Sequence, residues 1–367
     1  MKQITLFLTL FFYAQILGAA NLPDDGELKK MIGRMLVVGF EGESLNDNNK
    51  IIKDIKNYEL GGVILFDRFY NDKTKIKNIS SPEQLKSLTS TLNSSAIKPL
   101  LIAVDQEGGK VTRLKPAYGF GATPSAKVVS ELSDYETKNI YTALANTLHE
   151  AGINCNFAPV VDLALNPENK VIYGLNRSYG SDGKTVTRYA KIFMDAQKNK
   201  QIISVLKHFP GHGSSLDDSH KGSVDISKTW STVELEPYIT LINSGDADMI
   251  MTAHVFNSNL DAKYPATLSY NTNTKLLREK LGFNGVIISD DMQMGAISSS
   301  FSLQESVALA INSGVDMLLF GNQLGFVDTD KLVEVILGEI KSGAIPFERI
   351  QDSNKRVELL LKKLKKP

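Results

Sequence analysis

A single cysteine, Cys155, stands in the 367 residues, so no intrachain disulfide can form. Charge of one sign is missing too. The 41 basic and 41 acidic side chains balance, leaving no net field to hold nucleic acid or an anionic membrane. The one local excess, the basic end "VELLLKKLKKP", reads as the solvated face of a terminal helix. A glycine-rich phosphate loop is wanting, since "VVGFEGES" offers only a loose glycine pair. No serine occupies a Gly-x-Ser-x-Gly elbow, and no cysteines cluster as metal ligands. His208 and His212 are four apart, but Pro210-Gly211 between them breaks any helix that would align them, and no glutamate follows the first. A histidine-rich loop can hold zinc without a helix, and that alternative stays open. The expectation is no metal and no cofactor.

What is present first is an unusual N-terminus. "MKQITLFLTLFFYAQILGAANLPDDGE" has one lysine, an uncharged apolar run from Ile4 to Leu17, and then Gly18-Ala19-Ala20. That layout predicts a secretory signal peptide over residues 1–20, cut after Ala20, with the product in the periplasm or outside the cell. The run is shorter than the ~20 residues a spanning helix needs, so no stable membrane insertion is expected after cleavage. No cysteine follows it to carry a lipid.

From Asn21 onward the chain has the balance of a soluble globular protein, 42% hydrophobic and 22% charged. It lacks low-complexity stretches and linkers rich in proline, glycine or serine. A short β-branched, apolar run ending in a polar or glycine-rich turn recurs at 34–40, 61–66, 99–109, 152–162, 202–211, 248–255, 285–294 and 315–321. Such continuous apolar runs suit strands of a parallel sheet covered on both faces. Helix signals lie between them. Ser81 precedes Pro82 in "SPEQLKSLTSTLNSSA", Ser133 and Glu136 form a capping pattern ahead of Gly152, and "SLQESVALAINSG" ends at Gly314. Eight strands alternating with helices predict a single-domain (β/α)8 barrel of the TIM type over 21–367.

In such a barrel the site is built at the C-terminal ends of the strands. Five of the eight runs carry titratable groups at or beside those ends: Asp105, Asp162, Lys207 with His208, His254, and Asp290 with Asp291. Three of the five histidines fall in "VLKHFPGHGSSLDDSH", residues 205–220. Carboxylates with histidine, arginine and lysine in one cleft suit acid-base and covalent chemistry on a polyhydroxylated substrate.

The blocks "KHFPGHG" followed by "DDSH", "DQEGGKVTRL" (105–114), "NRSYG" (176–180) and "VIISDDMQM" resemble the signatures of glycoside hydrolase family 3, above all its single-domain β-N-acetylglucosaminidase branch. The likeness runs in order across residues 30–365, and the "KHFPGHG…DSH" block is its most specific part. The resemblance implies a retaining enzyme that releases terminal N-acetylglucosamine from muropeptides or other amino-sugar glycosides. Carried over by position, it implies Asp290 as nucleophile and His220 as general acid/base, with Asp218 orienting the histidine. It also implies that Asp105, Arg113, Arg177, Lys207 and His208 grip the sugar hydroxyls and the N-acetyl group. One departure concerns export, since most single-domain enzymes of this branch in Gram-negative bacteria are cytoplasmic.

The residue chemistry agrees. An ionised carboxylate at a rigid strand end can stabilise and then capture a cationic anomeric carbon. A histidine near its reference pKa, paired with a carboxylate, can protonate a leaving oxygen. Asp291, next to Asp290 on a strand, is expected to turn away and bond structurally. Gly211 and Gly213, with Ser214 and Ser215, are expected to make the histidine loop mobile. His212 reads as loop-shaping, Asp162 as a structural anchor, His254 as cleft floor or satisfied core, and His149 as structural. Glu107 reads as structural support for the block that binds through Asp105. Three alternatives stay open: a β-glucosidase or broad hexosaminidase of the same family, a phosphorylase, and a carbohydrate-binding protein without turnover.

Overall fold

A computed structural model describes residues 22–216 and 222–364. Eight of its strands close into one parallel barrel in sequence order: β1 (Leu36–Gly39), β2 (Gly62–Leu65), β3 (Leu101–Val104), β4 (Cys155–Asn156), β5 (Ile203–Phe209), β6 (Met249–Thr252), β7 (Val286–Asp291) and β8 (Met317–Phe320), with β8 pairing back on β1, while Val224–Asp225 and Val255–Phe256 pair as a separate two-stranded sheet. Each lies inside one of the eight apolar runs. The runs work as strands because both faces are covered. Val37, Ile64, Ala103, Cys155, Val205, Met251, Ile288 and Leu319 fill the interior. Their neighbours Val38, Val63, Ile102, Leu206, Ile250 and Ile287 pack outward against the helices. Burial pushes the Cys155 thiol up, so it is an inert space-filler.

The helices start and stop where the capping residues place them. Ser81 accepts from Gln84 N–H at the head of Pro82–Ser95, and Ser133 and Glu136 complete a capping box on Asp134–Glu150. Ser302 caps Leu303–Ser313, whose exit through Gly314 has φ 114°, a left-handed conformation suited to glycine. The basic terminal segment is two-sided. Leu360, Leu361 and Leu364 join the inner core, while Lys362 and Lys363 pair with Glu358 and Asp248. Among the described residues no helix is long and apolar enough to cross a membrane.

Candidate active site

At the C-terminal ends of the strands a cleft of about 570 Å³ is lined by Asp105, Glu107, Arg113, Arg177, Lys207, His208, His212, Asp290 and Asp291. Topology explains the convergence. Asp105 directly follows β3, Lys207 and His208 belong to β5, and Asp290 and Asp291 close β7. Arg113 comes from the loop after β3 and Arg177 from the loop after β4. Of the residues expected to act, Asp218 and His220 lie outside the described residues. The other six line this one cleft.

Its floor is a fixed charge network. Lys207 Nζ lies 2.8 Å from Asp105 Oδ1 and 2.8 Å from Glu107 Oε1. Arg177 meets Glu107 as a fork, Nε to Oε2 at 2.8 Å and Nη2 to Oε1 at 2.7 Å. Arg113 Nη2 reaches Asp105 Oδ2 at 3.3 Å, and its buried Nε has no hydrogen-bond partner among the described residues. Burial opposes ionisation of Glu107, but Arg177 and Lys207 outweigh it and hold the carboxyl at about 2. Asp105 is likewise depressed against its burial, by Lys207 and then Arg113. Burial works against the Lys207 ammonium, yet Asp105 and Glu107 raise its pKa above the ordinary lysine value. The floor thus presents ionised groups without reorganisation when a polar substrate arrives.

Behind this floor, Asp162 is fully buried and collects the histidines. It lies 2.7 Å from His208 Nδ1 and accepts the His212 backbone N–H at 2.8 Å. Burial would raise its carboxyl, but the His208 ring keeps it below the usual carboxylate range. Arg177 Nη2 stands 3.4 Å from His208 Nε2. With Nδ1 directed at Asp162, Nε2 faces the Arg177 side of the cleft. Asp162 thereby orients His208 from outside the cleft lining. His212 is pushed down to about 4 by burial and then by neighbouring His208, so it is neutral at pH 7. Its Nδ1 lies 2.7 Å from Ser215 Oγ.

Two expectations change. The stretch Gly211–Ser215 is buried and tied down rather than loose. Glu234 accepts from Gly213 N–H at 3.0 Å and from Ser214 Oγ–H at 2.6 Å. A Cβ on Gly213 would stand 1.7 Å from Leu163 O, so this glycine serves close packing. Asp291 does bond structurally, its Oδ1 accepting N–H groups of Gln293 (3.0 Å) and Gly321 (3.3 Å), but it also borders the cleft beside Asp290. Asp290 Oδ1 accepts the Asp291 N–H at 2.7 Å. His254 is buried, with Nδ1 at 2.8 Å from Thr267 Oγ1 and Nε2 at 2.9 Å from Asp291 O. It does not line the cleft. His149 sits on an exposed helix end against Lys200 O.

Sequence reasoning missed the hub role of Glu107, although its place two residues after Asp105 hinted at a shared side. It also missed Asp67, the polar residue next after the second apolar run. Asp67 holds Lys115 Nζ at 2.5 Å and the Tyr118 hydroxyl at 3.0 Å along the cleft edge.

Residues 27–360 match the family model described as the glycosyl hydrolase family 3 N terminal domain. A beta-hexosaminidase of Tolumonas auensis is 36% identical over 78% of this chain and 82% of its own length. Beta-hexosaminidase A of Pseudoalteromonas piscicida is 31% identical over 91% of this chain. The matched region is 61% of that relative's length. Among solved structures, a family 3 beta-N-acetylglucosaminidase from a Paenibacillus species superposes with a TM-score of 0.82 at 31% identity, covering 92% of this chain and 62% of that one.

Proposed function

The chain belongs to glycosyl hydrolase family 3, and from that membership we propose that it is a retaining β-N-acetylglucosaminidase acting on terminal N-acetylglucosaminides, muropeptides among them. The observation that carries the reading is the joint lining of one cleft by Asp290, at the end of β7, and by the ionised Asp105–Lys207–Glu107–Arg177 floor. A sugar on that floor donates its hydroxyls to Asp105 and receives hydrogen bonds from Lys207, Arg113 and Arg177. Asp290 then faces the anomeric carbon as the nucleophile. Its carboxylate stabilises the oxocarbenium-like transition state and forms the glycosyl–enzyme bond as the aglycone oxygen leaves. His220, oriented by Asp218, delivers the proton to that oxygen and later takes one from the attacking water.

Turnover of an aryl β-N-acetylglucosaminide, set beside the β-glucoside with and without phosphate, tests the reading. Preference for the N-acetyl substrate without phosphate dependence supports it. Asp290→Asn should remove nearly all turnover with unfolding unaltered, and a slow 2-fluoro substrate should label Asp290. Labelling at Asp291 or Glu107 would overturn the assignment. For the N-terminus we propose export of residues 21–367 after removal of 1–20. Protein recovered outside the cytoplasm should begin near Asn21, and recovery of only the full-length chain from the cytoplasm contradicts this.

A further inference from the structure

The cleft floor pairs its charges, but two cations at the cleft mouth stand without an anionic partner among the described residues. Arg68 directly follows Asp67 just beyond β2. Its guanidinium carbon lies 4.3 Å from the Tyr118 ring centroid and its Nη1 donates to Asp67 O at 2.9 Å. Lys73 Nζ lies 4.5 Å from the centroid of the exposed Tyr70 ring. Arg68, Lys73, Arg113 and Lys115 all line this side of the cleft. Of the carboxylates beside them, Asp67 is taken by Lys115 and the Tyr118 hydroxyl and Asp72 by Lys75, while Arg113 is engaged by Asp105. Among the described residues neither Arg68 nor Lys73 has an ion-pair partner. The Lys73 ammonium is pushed below its ordinary value by partial burial, then by Arg113 and Lys115, against the pull of Asp67. On this side of the cleft four cations, Arg68, Lys73, Arg113 and Lys115, thus stand against two lining carboxylates, Asp67 and Asp105, in a chain whose net charge is zero.

The mouth is also built in advance. Gln323, from the loop after β8, accepts the Tyr70 N–H at 3.0 Å and donates to Arg68 O at 3.0 Å. That bridge fixes the segment carrying both cations to the loop after β8, one strand away across β1 at the barrel opening. Each cation stands over an aromatic face, which holds it without neutralising it.

We propose that the mouth is a subsite for an aglycone bearing a carboxylate, with Arg68 and Lys73 as the residues that select it. The assignment rests on the hydrolase reading, since an aglycone is whatever projects from a terminal sugar bound on the floor. A carboxylate there meets a guanidinium that can bind it as a fork and an ammonium that adds charge without fixed geometry. Because both cations are partly solvated, the gain is modest and sensitive to salt.

Two 7-hydroxycoumarin β-N-acetylglucosaminides, bearing a 4-acetic acid or the neutral 4-acetamide, isolate the charge at nearly constant leaving-group acidity. Wild type should prefer the acid in kcat/KM by roughly 5–20-fold at low salt, mostly through KM, and the preference should shrink as sodium chloride is added. Lys73→Gln should lower the acid-to-amide ratio, Arg68→Gln with Lys73→Gln should bring it near one, and Lys73→Arg should retain it. A wild-type ratio near one, or a ratio the double variant leaves intact, overturns the subsite. Turnover of neither compound by wild type defeats the hydrolase reading and the subsite together, whereas turnover of both at equal rates defeats only the subsite.

Discussion

Glu107 and Arg177 meet as a two-point fork, 2.8 and 2.7 Å, with Lys207 Nζ a further 2.8 Å from the same carboxylate. All three are buried or nearly so, and each would be a costly isolated charge. Glu107→Gln keeps the shape but leaves two cations facing one carboxylate, Asp105. Loss of one partner from a buried ion group costs about 3–5 kcal/mol, so denaturant unfolding should show destabilisation of that order. The pH dependence has a definite sign. The folded pKa of about 2 lies below the ordinary 4.5, so the contribution is complete above pH ~4.5 and lost as pH falls toward 2. Glu107→Gln should flatten that part of the acid-unfolding curve. An unaltered acid limb would show that Glu107 is not the group responsible.

Gly213 separates packing from mobility as explanations for the glycines of the histidine loop. Gly213→Ala would drive a methyl into Leu163 O, 1.7 Å away, whereas an added Cβ on Gly222 meets nothing within 4 Å among the described residues. Gly213→Ala should lower the melting temperature sharply and abolish turnover, and Gly222→Ala should do neither. Equal tolerance at both positions would return the loop to the mobile reading.

The barrel was legible because its strands announce themselves one at a time. "GGVILF" needs no partner to read as a buried strand, and Ser133-x-x-Glu136 needs none to read as a helix start. The floor was legible in part, since strand-end position alone marked Asp105, Lys207, His208 and Asp290. The remainder depends on pairs far apart in the chain. Gln323 meets Tyr70 across 253 residues and Glu107 meets Arg177 across 70, and nothing in either local pattern encodes the partner. Gly213 shows the same limit from the other side. Glycine between polar residues reads as freedom until the opposing carbonyl of Leu163 is in view.

His220 and Asp218 carry a prediction that follows from the family motif and from leaving-group chemistry. An activated aryl leaving group scarcely needs a proton, while a sugar leaving group does. His220→Ala should therefore lose ~10²–10⁴-fold more on a sugar aglycone than on the first step with an activated aryl one. Asp218→Ala should show the same pattern more weakly, and His212→Ala much less than either. A variant series in which His212 matters more than His220 would sink the acid/base assignment.

Glu234 supplies the last prediction, and its sign opposes that of Glu107. Burial first, and then Asp162, push its carboxyl up to about 7, while its hydrogen bonds to Ser214 and Gly213 pull the other way. Tyr238 is packed nearby, and neutral His212 lies on the same loop. A folded pKa above the ordinary 4.5 means the folded state holds a proton the unfolded chain has released. Stability from this group is therefore complete below pH ~4.5 and is lost as pH rises through about 7, by up to about 3 kcal/mol. His212 works in the reverse direction: with its folded value at about 4 against an ordinary 6.5, its contribution is lost as pH falls through that window. The two overlap, so wild-type stability alone cannot separate them. Subtracting the Glu234→Gln curve from wild type does. That difference should fall steadily between pH 4.5 and 7, because glutamine still offers an oxygen to Gly213 or Ser214 but cannot release a proton. A flat difference curve would mean that Glu234 stays ionised throughout and clasps Gly213 and Ser214 as a permanent anion.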